Sequence, residues 1–129
     1  MSEVLATASL KTVVTQSNTA QAVGSGSLSV FATPSMCALM EQAATFALQE
    51  KLSFGETSVG TALNIEHVSA TPVGMKVTAT ANLLSFDGKV AQFTVEASDE
   101  KGLIGKGTHT RVVVNSARFM DRTNSKLEK

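Results

Sequence analysis

The chain has 129 residues, of which 43% are hydrophobic and 17% are charged, and its eleven basic residues balance eleven acidic ones. This length and apolar content predict one compact domain and argue against a disordered chain. A net charge of zero argues against nucleic acid as a partner, because such binding needs a clustered basic field. One cysteine excludes an internal disulfide, and with two histidines it leaves too few ligands for a Cys/His zinc site.

Neither a signal peptide nor a membrane span is predicted. Residues 1–16 lack the basic region and the continuous apolar run of a signal peptide. No stretch approaches the ~20 apolar residues that cross a bilayer. We therefore expect a soluble, cytoplasmic protein without a membrane partner, built as a single domain over residues 1–129.

The clearest predicted element is a helix that follows a long loop. The polar, Gly- and Ser-rich segment Gln16–Ser29 has no periodicity, and long loops in small domains are often functional. Thr33 is expected to cap the helix, because Pro34 suits the first helical position. The helix should run from Pro34 to about Leu52. Since Glu41 is its only charge as far as residue 49, other structure should surround it.

The rest of the chain predicts an antiparallel sheet, with a polar tail after Phe119 that should fray. Turn signals at residues 71–74, 87–88 and 99–102 separate segments of period two and imply that consecutive strands are neighbours. One helix against such a meander predicts an α+β fold in which the sheet curls around the helix. Exposed sheet edges also favour self-association. The expected strands are Leu10–Thr15, Thr57–Val68, Met75–Phe86, Lys89–Ser98 and Leu103–Asn115.

Glu41 is the first candidate for chemistry, because its helical neighbours form an apolar stripe. A carboxylate in such a stripe has to be paired, hydrogen-bonded or shifted in pKa. The pattern alone leaves open whether Glu41 is functional, exposed, or buried and hydrogen-bonded to backbone N–H groups. Cys37 lies one turn earlier and is more typical of core than of a nucleophile.

His67 and Thr33 form a second set of candidates. His67 shares strand parity with Val59, Leu63 and Ile65 and should point inward, either as a general base or as an ordinary core histidine. The predicted cap explains Thr33, although a hydroxyl at a helix N-terminus also suits an attacking alkoxide or an oxyanion.

His109 and Arg111 share parity on the last predicted strand. They could contact an anionic ligand, but an ordinary charge at the surface or at a dimer interface is the favoured interpretation of Arg111.

Several short segments, taken in order, resemble the hotdog-fold thioesterases and, more narrowly, the fluoroacetyl-CoA thioesterase-like branch. The resemblance extends from about Phe31 to Phe119. It implies a hotdog fold, in which the antiparallel sheet wraps around one long central helix. The segments that carry it are Ala32–Met36, Met40-Glu41, Thr57–Gly60, Ile65–His67, Ala70–Gly74 and Gly107–Arg111.

The resemblance also implies an activity and a set of site residues. Members of this branch hydrolyse acyl-CoA thioesters to a carboxylic acid and free CoA, with catalytic residues that match Thr33, Glu41 and His67. Gly60 matches the glycine that offers its backbone N–H to the thioester, and we assign Arg111 to substrate binding. Which group attacks the carbonyl stays open.

No cofactor and no metal is implied beyond the CoA of the substrate. Family members form homodimers with active sites at the interface, so a homodimer, or a tetramer, is expected here. Where the fluoroacetyl-specific enzyme has aromatic lid residues, this chain has Gly24-Ser25-Gly26-Ser27, which predicts a more open acyl pocket. The alternatives are a non-catalytic hotdog module that binds an acyl-CoA or a related apolar ligand and, more weakly, a purely structural dimer.

Overall fold

The computed structural model describes residues 3–128 and contains one sheet with a long helix across one face. The strands are β1 (Ala6–Val13), β2 (Glu56–His67), β3 (Lys76–Phe86), β4 (Val90–Asp99) and β5 (Gly102–Asn115). The helices are α1 (Ala20–Val23), α2 (Thr33–Leu48) and α3 (Ser116–Asn124). Short 3-10 turns cover Gln16–Asn18, Gln49–Lys51 and Ser125–Leu127.

Helix α2 forms the centre of the core because one side of it is almost entirely apolar. The buried residues recur at the three- and four-residue spacing that aligns side chains on one helix face. This face packs mainly on β3 and β1, where small alanines on the strands allow close approach. Its buried residues are Met36, Leu39, Met40, Ala43, Ala44, Ala47 and Leu48.

The strand order is β1-β3-β4-β5-β2, with every neighbouring pair antiparallel. The predicted hairpins between β3 and β4 and between β4 and β5 are present, but β2 pairs with β5 and not with β3. The expectation of a four-strand meander is therefore wrong at its first turn. Residues 68–75 instead cross near the start of α2, where the Phe31 N–H donates to the Thr71 carbonyl at 2.9 Å.

The ends of α2 also differ from the prediction. Ala32 is the N-cap, and Thr33 is the first helical residue with no side-chain capping bond. Its hydroxyl bonds instead to a histidine ring on the neighbouring strand. The helix ends at Leu48, and a 3-10 turn continues to Lys51.

Two segments expected to be irregular contain helices. Within Gln16–Ser29, a 3-10 turn and α1 are capped by the side chains of Thr15 and Thr19. The tail forms α3 and does not fray at Phe119, because the Asn115 side chain accepts a hydrogen bond from the Arg118 N–H at 3.0 Å. No helix within residues 3–128 is long and apolar enough to cross a membrane.

A bulge in β2 changes which side chains face α2. The register with β5 shifts between Gly60 and Ala62, so side-chain parity reverses there. Before the bulge, Ser58 and Gly60 face the helix; after it, Ile65 and His67 do. Strict alternation predicts that Val59 and His67 share a face, and the bulge makes this prediction wrong.

Candidate active site

Thr33 and His67 lie in direct contact at one end of the sheet. Thr33 opens α2, His67 closes β2, and their Oγ1 and Nδ1 atoms are 2.7 Å apart. The other ring nitrogen of His67, Nε2, is buried and has no hydrogen-bond partner among residues 3–128. Burial lowers the pKa of His67 from its ordinary value of 6.5. The ring is therefore neutral near pH 7 and able to accept a proton.

A cavity of about 310 Å³ adjoins this pair. Its lining is a mixture of small, apolar and hydroxyl side chains. Among the lining residues, Thr33 and His67 form the pair of a hydroxyl and a basic ring nitrogen. Ser25, from the segment predicted to replace an aromatic lid, also lines it. The remaining lining residues are Ala20, Val30, Phe31, Val68, Ser69 and Ala70.

Glu41 belongs to a different cluster in the same chain. Its Oε2 lies 3.8 Å from Nη1 of Arg111, and its side chain is 41% exposed, whereas that of Arg111 is 9% exposed. Eight helical residues separate it from Thr33, a rise of about 12 Å along the axis. One chain therefore brings Thr33 and His67 together and holds Glu41 apart from them.

A buried network fixes Arg111 beneath Glu41. Its Nε donates to Ser58 Oγ at 2.8 Å, and its Nη2 donates to the Ser58 carbonyl at 2.9 Å. Its Nη1 also donates to His109 Nε2 at 3.2 Å, while His109 Nδ1 donates to the Ala62 carbonyl at 2.8 Å. These bonds require the neutral His109 ring with its proton on Nδ1, and burial lowers the pKa of His109 in agreement.

The burial of His109 and Arg111 corrects the favoured interpretation of Arg111 as an ordinary surface charge. As whole residues, His109 and Arg111 are only 1% and 7% exposed. In the sequence, His109, Arg111 and Val113 occupy every second position of β5. This period of two indicates that all three side chains face inward.

Gly60 lies against this network so closely that a side chain would collide with it. A Cβ at this position would be 2.9 Å from Oε2 of Glu41 and 3.1 Å from Cε1 of His109. The absence of a side chain at position 60 is thus a requirement of the Glu41–Arg111 pair.

Cys37 contributes little as a nucleophile. It is half-buried, and burial raises the pKa of its thiol, an effect that the charge of Glu41 increases. Within residues 3–128 there is also no group of three His, Cys, Asp or Glu side chains that could hold a metal ion.

Comparison with known proteins identifies the family to which this site belongs. The family model of the fluoroacetyl-CoA-specific thioesterases matches residues 14–117. The chain belongs to this family. It is 42% identical over 97 residues to the fluoroacetyl-CoA thioesterase of Streptantibioticus cattleyicolor, an alignment that covers 75% of this chain and 70% of that protein.

Solved structures agree with this family assignment. A structure of the fluoroacetyl-CoA thioesterase FlK superposes with a TM-score of 0.89 at 35% identity, covering 96% of both chains. A thioesterase superfamily member from Thermus thermophilus gives 0.85 at 29% identity, over 95% of this chain and 93% of that one. The predicted hotdog fold, the predicted branch and the predicted acyl-CoA thioester hydrolysis are therefore confirmed.

Proposed function

We propose that this acyl-CoA thioesterase works as a homodimer in which Thr33 and His67 of one chain and Glu41 of a second copy act on the same thioester. The observation that carries the proposal is the 2.7 Å contact between Thr33 Oγ1 and His67 Nδ1. It joins a hydroxyl at a helix N-terminus to a neutral base, which is the arrangement that activates a nucleophile.

In the proposed acylation step, Thr33 Oγ1 attacks the thioester carbonyl carbon and its proton moves to His67 Nδ1. The carbon–sulfur bond breaks, and CoA leaves as a thiolate that needs no acid. The burial of Nε2 supports this direction of transfer, because Nδ1 is the ring nitrogen that faces a proton donor in the described chain. The product is an acyl ester on Thr33.

In the proposed deacylation step, water attacks the ester and gives a proton to Glu41 of the second copy. Thr33 leaves as the ester breaks and takes its proton back from His67. The carboxylic acid is released, and the proton on Glu41 passes to the CoA thiolate, so the overall reaction consumes one water. Gly60 of the second copy is assigned the backbone N–H that stabilises the oxyanion in both steps.

The position of β2 supports the contribution from a second copy. This strand is an edge of the sheet, and no strand of residues 3–128 pairs with its outer side. An antiparallel pairing of two β2 strands with Gly60 opposite His67 would continue the sheet through the dimer. Since Glu41 lies directly over Gly60, the same pairing would carry it to the Thr33–His67 pair of the other chain.

Arg111 has a role in this scheme that differs from the predicted contact with substrate. Its guanidinium already donates to Ser58 and His109 and lies beside Glu41. We assign it to holding the Glu41 carboxylate in place.

We propose an acyl group larger than fluoroacetyl as the preferred substrate. Gly24 ends α1 in the left-handed conformation, at φ 82°, and the following Ser25 lines the 310 Å³ cavity where an aromatic lid would reduce it. The cytoplasmic location and the absence of a cofactor stay predictions from the sequence.

The test is thiol release from short, branched, long and aromatic acyl-CoAs by the parent protein and by Thr33→Ala, Thr33→Ser and His67→Ala. Loss of the nucleophile or of its base should lower kcat/KM by at least about 100-fold, whereas Thr33→Ser should keep most of the activity. Mass spectrometry after rapid quenching should find the acyl group on Thr33. An acyl group on Glu41, or full activity in Thr33→Ala, would overturn the proposed roles.

A further inference from the structure

A second cavity, of about 410 Å³, lies at the opposite end of β2 from His67. Three cations line it, namely Lys89, Arg118 and Arg122, together with one carboxylate, Glu56. None of these cations has a carboxylate oxygen within 4 Å among residues 3–128, where the pair of Arg111 with Glu41 is the one ion pair. Glu56 is engaged elsewhere, since its Oε1 accepts a hydrogen bond from the Ser53 N–H at 2.8 Å.

The three cations come from segments that the fold holds in place. Arg118 and Arg122 are four residues apart on α3 and so share one face of that helix, whose start is fixed by the Asn115 cap. Lys89 precedes β4, where its N–H donates to Asp87 Oδ1 at 2.9 Å and its carbonyl accepts from the Val113 N–H at 2.8 Å. Convergent unpaired cations in a concave site are suited to a phosphate group.

We propose that this cavity binds the phosphate groups of the CoA whose thioester is held in the active site of the other copy in the dimer. The proposal rests on the dimer described under the proposed function. The CoA part of the substrate carries phosphate groups, and these lie at the opposite end of the molecule from the reacting sulfur.

Distances along β2 decide which active site the cavity serves. Glu56, at its edge, is eleven residues from His67 of the same chain, about 36 Å along an extended strand. In the proposed pairing with Gly60 opposite His67, Glu56 of the second copy lies four residues, or about 13 Å, beyond His67. The cavity of the second copy is thus much nearer, and the connecting arm of CoA would run along the joined strands.

The first experiment compares two substrates that share an acyl group. Arg118→Glu/Arg122→Glu should raise KM for the acyl-CoA by about tenfold or more, because charge-assisted contacts to phosphate are lost. Its turnover of the matching S-acyl-N-acetylcysteamine, which has no phosphate, should match the parent. Lys126→Glu is the matched control, since it reverses an exposed basic residue of the same tail outside the cavity.

A second experiment tests whether the cavity acts across the dimer. Thr33→Ala chains, which keep the cations, are co-expressed with Arg118→Glu/Arg122→Glu chains, which keep Thr33. In a mixed dimer, the intact Thr33 faces the intact cavity of the other chain, so KM for acyl-CoA should return to the parental value. A high KM in mixed dimers would show that each cavity serves its own chain and would overturn the proposal.

Calorimetry measures the binding of CoA without turnover, so its result tests the phosphate site independently of the proposed catalytic roles. CoA should bind the parent and Lys126→Glu more tightly than pantetheine does, and this preference should disappear in Arg118→Glu/Arg122→Glu. Equal binding of CoA by all three proteins would overturn the phosphate site even if hydrolysis proceeds as proposed. The proposal would also be overturned if Arg118→Glu/Arg122→Glu slowed the hydrolysis of an acyl group carried on an acidic carrier protein but left the hydrolysis of acyl-CoA unchanged.

Discussion

The proposed role of His67 as the base makes the activity depend on the protonation state of its ring. Burial lowers its pKa below 6.5, so the ring is neutral and able to act as a base across neutral pH. As pH falls, activity should be retained through 6.5 and should then decline when the ring takes up a proton. Rates of acyl-CoA hydrolysis measured between pH 5 and 8 should give an acidic midpoint in kcat/KM below 6.5. A midpoint at or above 6.5 would contradict His67 as the buried base.

One substitution at Arg111 distinguishes a role in binding the substrate from a role in positioning Glu41. Arg111→Lys keeps the charge but loses the forked donors to Ser58, so Glu41 should lose its fixed position. We expect kcat to fall by about tenfold with a smaller change in KM, since the proposed contact is made through Glu41. Steady-state kinetics on folded protein, checked by thermal melting, measures both constants. A raised KM with unchanged kcat would instead support the predicted contact with substrate.

The close approach of Gly60 to α2 leads to a prediction for β2 as an element. In Gly60→Ala, the nearest atom to the new methyl group is the end of the flexible Glu41 side chain, which can move. The free energy of unfolding should therefore change by less than about 1 kcal/mol, while kcat falls by about tenfold because Glu41 is displaced. Denaturant unfolding and kinetics on the same sample measure the two effects.

Gly107 is the control within the same pair of strands. A Cβ there would collide with the backbone carbonyl of Asn64 and lie 2.8 Å from Cδ1 of Ile65. Because the backbone of a paired strand cannot move as a side chain does, Gly107→Ala should destabilise the fold by more than about 2 kcal/mol. If Gly60→Ala proves as destabilising as Gly107→Ala, then Gly60 serves packing and not the position of Glu41.

The elements were predictable where local signals decide them. Strands β2 to β5 begin and end within one residue of the predicted bounds, because turn residues and period-two runs mark them. β1 starts four residues before the predicted Leu10, and the pairing of β2 with β5 escaped prediction, since both depend on contacts between distant segments. The bulge at Gly60 is likewise a property of strand register, which is set by the partner strand.

Candidate residues in both clusters were named from the sequence, but the way in which the fold groups them was not, and their catalytic and binding roles stay predictions. The residue pattern singled out Thr33, Glu41, His67 and Arg111, and the family resemblance added Gly60. Their division into two clusters was not predicted, because the distance between Glu41 and His67 depends on how α2 lies across β2. The network that joins Arg111 to Ser58 and His109 depends on the register of β2 with β5.

At the scale of the whole molecule, the proposed site requires two chains joined along β2. Leu63 is an apolar residue near the centre of this edge and is 37% exposed in the single chain. In the proposed pairing, the two copies of residue 63 are diagonal neighbours near the twofold axis. Leu63→Glu would therefore set two carboxylates against each other, which destabilises strand pairing. We expect the variant to sediment as a 13.5 kDa monomer where the parent has twice that mass.

The same variant should lose activity, because a monomer keeps Thr33 and His67 but has no Glu41 beside them. We expect kcat/KM to fall by at least about 100-fold while the fold is retained. Val13→Glu is the matched control: Val13 is also apolar and 42% exposed, but it lies on β1 at the other edge of the sheet. It should remain dimeric and active. An active Leu63→Glu monomer would show that Glu41 acts within its own chain or not at all, and an inactive dimer would place the subunit interface away from β2.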